Sequence, residues 1–232
     1  MAKISKTQID KLGERLKAEP VSDTDITLLD EYRRSFGESF DFVEGTMQNQ
    51  LGLTPSGRRA KTTASIIDKL CRESIRLSQI QDIAGCRLIV SDVFEQDRTV
   101  FRLQSVFPSC AVIDRRSKPS HGYRAVHVIV KNFDCWVEIQ IRTSLQHLWA
   151  QISETLSDTF DPTIKYGGGS DAIQSILTES SAIVAALEES ESQWSQSTEN
   201  SLVVQEELEK FRNLKEHTST IFAKMIEIIE SQ

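Results

Sequence analysis

Apolar residues recur at helical spacing through the first part of the chain, alternate with polar ones through the middle, and return to helical spacing towards the end. That order predicts helices, then a mixed α/β core, then helices again. In "SKTQIDKLGERLK" Ile9, Leu12 and Leu16 share one stripe, and Pro20 ends the run. "SDTDITLLDEYRRSFGESFDFVEGTMQNQL" opens on a capping Ser22 or Asp23 and reads as one amphipathic helix, and "TTASIIDKLCRES" as another. Four strands are expected, over 86–91, 110–115, 123–131 and 135–142, with a helix at 94–107 between the first two. The helix at 144–156 directs Leu145, Leu148, Ile152 and Leu156 inward, and "YGGGS" at 166–170 reads as a flexible boundary. Two last helices, about 171–191 and 201–230, carry Ile173, Ile176, Val184 and Leu187, then Leu208, Phe211, Ile221, Met225 and Ile228, and form a hairpin around "SQWSQSTENS". The domains expected are N-terminal helices over 1–50, a core over 51–165 and a helical hairpin over 171–232.

The stretch "HGYRAVHVIVKNFDCWVEIQIRT" at 121–143 departs from a plain hairpin. If Val137, Ile139 and Ile141 enter a core, strand alternation gathers Glu138, Gln140 and Arg142 on the opposite face. A carboxylate, an amide and a guanidinium then share one face, next to a strand bearing Tyr123 and His127.

Composition narrows the classes. With 39% hydrophobic residues in 232, the chain can build one large domain or a domain with a helical appendage. The cysteines at 71, 86, 110 and 135 lack metal-ligand spacing, and Cys86 and Cys135 read as buried free thiols. No apolar leader and no long uncharged run is seen, so a cytoplasmic, non-membrane protein is expected. Residues 171–232 hold 12 acidic and 4 basic residues, against 22 and 23 in the remainder, and an acidic tail is a poor binder of phosphate backbones.

Candidate chemistry lies where charges converge. Asp82 stands just before a strand, Gly85 allows close approach, Arg87 enters the strand, and Glu138 sits in a later one. Two carboxylates on different strands suit Mg²⁺, which shares oxygen ligands with substrate phosphates; pairing of each with a nearby arginine is the structural alternative. Arg59, Lys61, Lys69 and Arg72 gather around the start of a helix that also offers Ser65, and cations with helix amides suit a polyphosphate, although a solvated basic face reads equally well. No Gly-x-x-x-x-Gly-Lys-Ser/Thr run is present.

The motifs "RAKTTASIIDKLCR", "QDIAGCRLIV", "GYRAVH" and "EIQIRT", in this order, resemble the synthetase domain of the RelA/SpoT homologues over about residues 25–160. The resemblance implies an α/β fold: a nucleotidyltransferase-like mixed sheet of about five strands flanked by helices, with helical extensions at both ends. It implies transfer of the β,γ-pyrophosphate of ATP to the 3′-hydroxyl of GTP or GDP. It assigns Asp82 and Glu138 to catalysis and Mg²⁺; Arg59, Lys61, Ser65, Lys69 and Arg87 to ATP; and Lys118, Tyr123, His127 and Gln140 to the acceptor, with Tyr123 stacked on its base.

Two departures fall in the acceptor loop. Lys118 stands five residues before Tyr123 where four is usual, with His121 extra, and Ala125 replaces a usual serine. They leave open a toxic relative that acts on the 3′ end of tRNA or makes adenosine alarmones; an inactive nucleotide-binding regulator is the third reading. None of the four histidines precedes an aspartate, so the hydrolase motif of bifunctional relatives is missing and a stand-alone small synthetase is expected. A homo-oligomer through terminal helices and a controlling antitoxin are partners the resemblance allows.

Overall fold

The computed structural model describes residues 4–18, 20–58, 60–195 and 202–231. In chain order its elements are α1 (Lys6–Leu16), α2 (Asp23–Arg34), α3 (Gly37–Leu51), β1 (Ser56–Arg58), α4 (Thr63–Arg72), β2 (Ala84–Val90), α5 (Val93–Val106), β3 (Ala111–Asp114), β4 (Val126–Asn132), β5 (Cys135–Thr143), α6 (Ser144–Thr159), α7 (Asp171–Ser195) and α8 (Leu202–Glu230), with single 3-10 turns at Leu77–Gln79 and Ile164–Tyr166. The strands run in the order β1-β2-β5-β4-β3. The mixed sheet rests on four main strands; the fifth, β1, is only three residues long and pairs antiparallel with β2. This is the α/β architecture the sequence implies, a mixed sheet with flanking helices.

Contacts divide the chain into two units. One comprises Met1–Leu88, Arg102–Val112 and Val128–Gln140; the other comprises Ile89–Phe101, Ile113–His127 and Ile141–Gln232. In the first, α1 begins on a capping box in which the Ser5 hydroxyl accepts from Gln8 N–H and Gln8 Oε1 accepts from Ser5 N–H at 2.9 Å. Its stripe of Ile9, Leu12 and Leu16 is buried as the spacing predicts. The helix expected across 22–51 is two helices. Ser35 caps α2, its hydroxyl donating to Tyr32 C=O at 2.6 Å, and a fresh helix starts at Gly37. An amphipathic pattern carries across such a break because both pieces bury apolar faces: Leu29 on α2, Val43 and Met47 on α3.

Val137, Ile139 and Ile141 are fully buried, so the inward face of β5 is the one alternation selects. A two-residue turn joins β4 to β5, with Phe133 and Asp134 at φ 47° and 66°, the left-handed pair that matches strand twist. Cys86 is buried, whereas Cys135 is only half-buried, its thiol facing Ser35 C=O at 3.7 Å.

In the second unit α6 opens on another capping box, Thr143 with Gln146. Around α6 gathers a core that includes Leu145, Trp149, Ile152, Leu177, Val184 and Phe222. The inward face of α6 takes Trp149, while Leu148 and Leu156 only flank that core. The stripes expected on the last helices hold in part: Val184 is buried and Ile173, Leu187 and Met225 pack against this core, while other members face outward. Leu177 and Val184 are buried on α7 while Ile176 is 53% exposed, and Phe222 and Ile229 are buried on α8 while Ile221 and Ile228 are exposed. The 166–170 segment is no loose linker, because Gln174 donates its amide to Ile164 C=O at 2.8 Å and to Gly168 C=O at 2.6 Å. The turn expected within "SQWSQSTENS" falls in 196–201, outside the described residues.

Candidate functional site

In the first unit, Thr62 caps α4: its hydroxyl accepts from Ser65 N–H at 3.2 Å and donates to Ser65 Oγ at 2.7 Å. Ile66 and Leu70 are buried, so α4 has a fixed orientation that presents Lys69. Lys61, just before the cap, donates its backbone N–H to Ile83 C=O. Both ammonium groups reach the same carboxylate: Lys61 Nζ lies 2.7 Å from one oxygen of Asp82 and Lys69 Nζ 3.0 Å from the other. Burial by itself would raise the Asp82 pKa, but the charges and hydrogen bonds of the two lysines outweigh it and hold the carboxyl down at about 2. Two of the cations that the resemblance assigns to the site, Lys61 and Lys69, are therefore together with Asp82, which is paired through lysines.

Glu138 is 9% exposed, on the β5 face opposite Val137 and Ile139, and accepts from the Gln140 amide at 2.8 Å. Gly85 lets β2 come this close: a Cβ there would stand 2.8 Å from Glu138 C=O, so any side chain would push the strands apart. The buried Cys86 thiol is pushed up to about 12, by burial first and then by the carboxylates of Glu44 and Glu138. Arg87 is half-buried between the buried Cys86 and Leu88. Arg59 lies outside the described residues.

In the second unit, residues 120–123 form a tight turn rather than the start of a strand. Ser120 and Tyr123 exchange backbone hydrogen bonds at 3.3 and 2.9 Å, and His121 and Gly122 both have positive φ, 50° and 85°. This is the backbone of a type I′ turn. The additional residue, His121, is what gives it two central positions. Tyr123 follows, its hydroxyl 2.9 Å from His127 Nε2 and its ring edge-on to the imidazole at 5.7 Å between centroids. The guanidinium of Arg142 lies over the Tyr123 ring at 5.0 Å and donates to its hydroxyl at 3.1 Å. Lys118 is exposed in the stretch before the turn.

Arg142 is the residue the sequence reading left out of the site, although alternation already placed it on the polar face with Glu138 and Gln140. At 2% exposure, an arginine stacked on a tyrosine is a built feature, because a buried guanidinium is costly unless it is bonded or stacked. Among the described residues no group of three or more His, Cys, Asp or Glu is arranged to hold a metal ion, and no helix is long and apolar enough to cross a membrane.

Residues 58–157 match the family described as the region found in RelA / SpoT proteins. Over these residues the chain is similar to the RelA/SpoT family. An uncharacterized protein of Mycobacterium tuberculosis is 38% identical over 130 residues, 54% of this chain and 47% of that protein. The GTP pyrophosphokinase YjbM of Bacillus subtilis is 32% identical over 121 residues, 46% of this chain and 57% of its own. The chain spans about half the length of the curated relatives it matches. Among solved structures, the small alarmone synthetase 1 of Bacillus subtilis bound to its product pppGpp shares the fold, at TM-score 0.54 and 24% identity over 74% of this chain and 96% of that one. A Streptococcus mutans protein matches at TM-score 0.50 and 28% identity over 72% and 93%.

Proposed function

We propose that the chain is an alarmone synthetase that transfers the β,γ-pyrophosphate of ATP to the 3′-hydroxyl of GTP or GDP. The observation that carries this reading is the Lys61–Asp82–Lys69 cluster, with Gly85 and Glu138 beyond it, inside the residues that match the RelA/SpoT region. Two lysines on an ionised aspartate form a preorganised cationic site, the kind of group that holds the oxygens of a polyphosphate. On this reading Arg59, Ser65 and Arg87 are further contacts for ATP.

Asp82 and Glu138 would hold Mg²⁺. Carboxylates suit an ion that takes oxygen ligands and completes its shell with nucleotide phosphates, as magnesium does. When bound, it would neutralise charge developing on the transferred group. The chain's own residues do the rest. Lys61 and Lys69 orient the phosphates, Glu138 takes the proton of the acceptor hydroxyl, and the Tyr123 ring, held by Arg142, stacks on the base. Lys118, His127 and Gln140 complete the acceptor contacts. The acceptor oxygen forms a bond to Pβ, the bond from Pβ to the bridging oxygen of AMP breaks, and AMP leaves.

The altered acceptor loop, with its two-residue turn at 121–122, keeps tRNA as a second acceptor to be tested. The experiment is incubation with γ-labelled ATP and GTP, GDP, ATP or tRNA in turn. Label on GTP or GDP is expected. Label on tRNA alone would promote the toxin reading, and label on no acceptor the inactive regulator.

A further inference from the structure

One face of α7 carries Leu177, Ser181, Val184 and Glu188, all at most 5% exposed. The spacing is that of an apolar stripe, yet two of its four members are polar, and a buried polar group is costly unless it is bonded. Both are bonded, and to chain neighbours of the same stacked pair. Ser181 donates its hydroxyl to Gly122 C=O at 2.5 Å, one residue before Tyr123. Glu188 accepts from the Thr143 hydroxyl, one residue after Arg142, and from the Gln146 amide at 2.9 Å.

Two further contacts close the turn. Trp149 donates its indole N–H to Leu177 C=O at 2.9 Å and sets its ring against Gly122, where a Cβ would fall 2.5 Å from Cζ2. The His121 ring lies against Gly167, where a Cβ would fall 2.4 Å from Nδ1. The turn is therefore held at its tip, at its glycine and at its carbonyl.

We propose that α7 is a brace for the Tyr123–Arg142 stack, with Ser181 and Glu188 acting as positioning residues for the acceptor base. The inference rests on the reading of Tyr123 as the acceptor platform. Neither residue touches substrate; each fixes the backbone next to a residue that does. Preorganising the stack lowers the cost of ordering it when the base arrives, so the brace acts on acceptor affinity and leaves ATP affinity unchanged. A helix that only packed would have apolar residues at 181 and 188, since a hydroxyl and a carboxylate add nothing to a dry contact.

Two readouts test it. Amide exchange in the nucleotide-free protein reports on the turn alone: Ser181→Ala should speed exchange at 120–124 about fivefold, the effect of losing one hydrogen bond. Steady-state kinetics should show the KM of the guanosine nucleotide rising about tenfold in Ser181→Ala while the KM of ATP and kcat stay within about twofold. Glu188→Ala, which removes the acceptor of both the Thr143 hydroxyl and the Gln146 amide, should do the same for the amides at 142–146 and serves if Ser181→Ala does not fold. Unchanged exchange in either segment, or KM values for both substrates rising together at native thermal stability, would overturn the brace. If no guanosine nucleotide accepts label even in the unaltered protein, the functional reading fails and exchange alone decides the brace.

Discussion

The two regions that carry candidate chemistry are held together by different forces. In the first unit, Lys61 and Lys69 grip Asp82 by charge, and the residues come from a short piece of sequence, 61 to 82. In the second, Tyr123, His127 and Arg142 are held by stacking and hydrogen bonds, and the residues that fix them arrive from positions 143, 149, 167, 181 and 188. Charge needs no exact shape but depends on pH and salt. Stacking depends on shape and hence on distant packing. A donor site that binds a common polyphosphate by charge, and an acceptor site that selects a base by shape, is the division of labour this difference suggests.

The comparison can be broken most sharply at the carboxylates. Asp82→Asn and Glu138→Gln should each lower turnover by about 10²-fold or more with the fold intact, measured by single-turnover kinetics and circular dichroism. Near-normal turnover in either would remove that residue from the chemistry. On the acceptor side, Tyr123→Ala should raise the guanosine nucleotide KM by about thirtyfold, within the range for loss of one base stack, and leave the ATP KM unchanged. An equal rise in both would merge the two regions into one.

The charge-held region also makes a pH prediction. Asp82 titrates at about 2 in the folded protein against an ordinary 3.8, so its ion pairs stabilise the fold above pH 4 and that contribution is lost as pH falls from 3.8 towards 2. Asp82→Asn should cost about 2 kcal/mol at pH 7 in chemical denaturation, and the gap should close towards pH 2. A gap independent of pH would mean packing, not charge, holds the cluster. The smallest effect separates the ring of Tyr123 from its hydroxyl. Because that hydroxyl is bonded to His127 and Arg142, Tyr123→Phe should raise the acceptor KM about fivefold. No change would mean the ring alone matters.

The same contrast explains what was legible in the sequence. Lys61 and Lys69 stood out around one helix start and Asp82 at a strand entry, but as separate groups: the resemblance to the RelA/SpoT synthetase domain put them at one site, and their direct pairing became visible only in the structure. Alternation in β5 separated Val137 and Ile139 from Glu138 and Gln140. Ser181 and Glu188 were invisible because they are polar at positions where helical spacing asks for apolar residues, while Ile176 and Ile228 are apolar and exposed; a hydrophobic pattern read alone finds Val184, Ile173, Leu187 and Met225 but assigns Ser181, Glu188, Ile176 and Ile228 to the wrong side. The type I′ turn was missed because His-Gly is a weaker signal for it than Asn-Gly or Asp-Gly, and "YGGGS" misled because glycines that admit the His121 ring look the same in sequence as glycines in a linker. The break between α2 and α3 rests on one serine cap that an amphipathic pattern passes over.

The most direct test of the central claim is the nucleotide left behind by the donor. Phosphorus NMR of a reaction containing ATP and GTP follows both the donor and the acceptor without any label. The account predicts AMP formed one for one with a guanosine nucleotide carrying a new 3′-pyrophosphate, and Asp82→Asn suppressing both signals together. ADP as the donor product, or AMP without any change at the guanosine 3′ position, would contradict it.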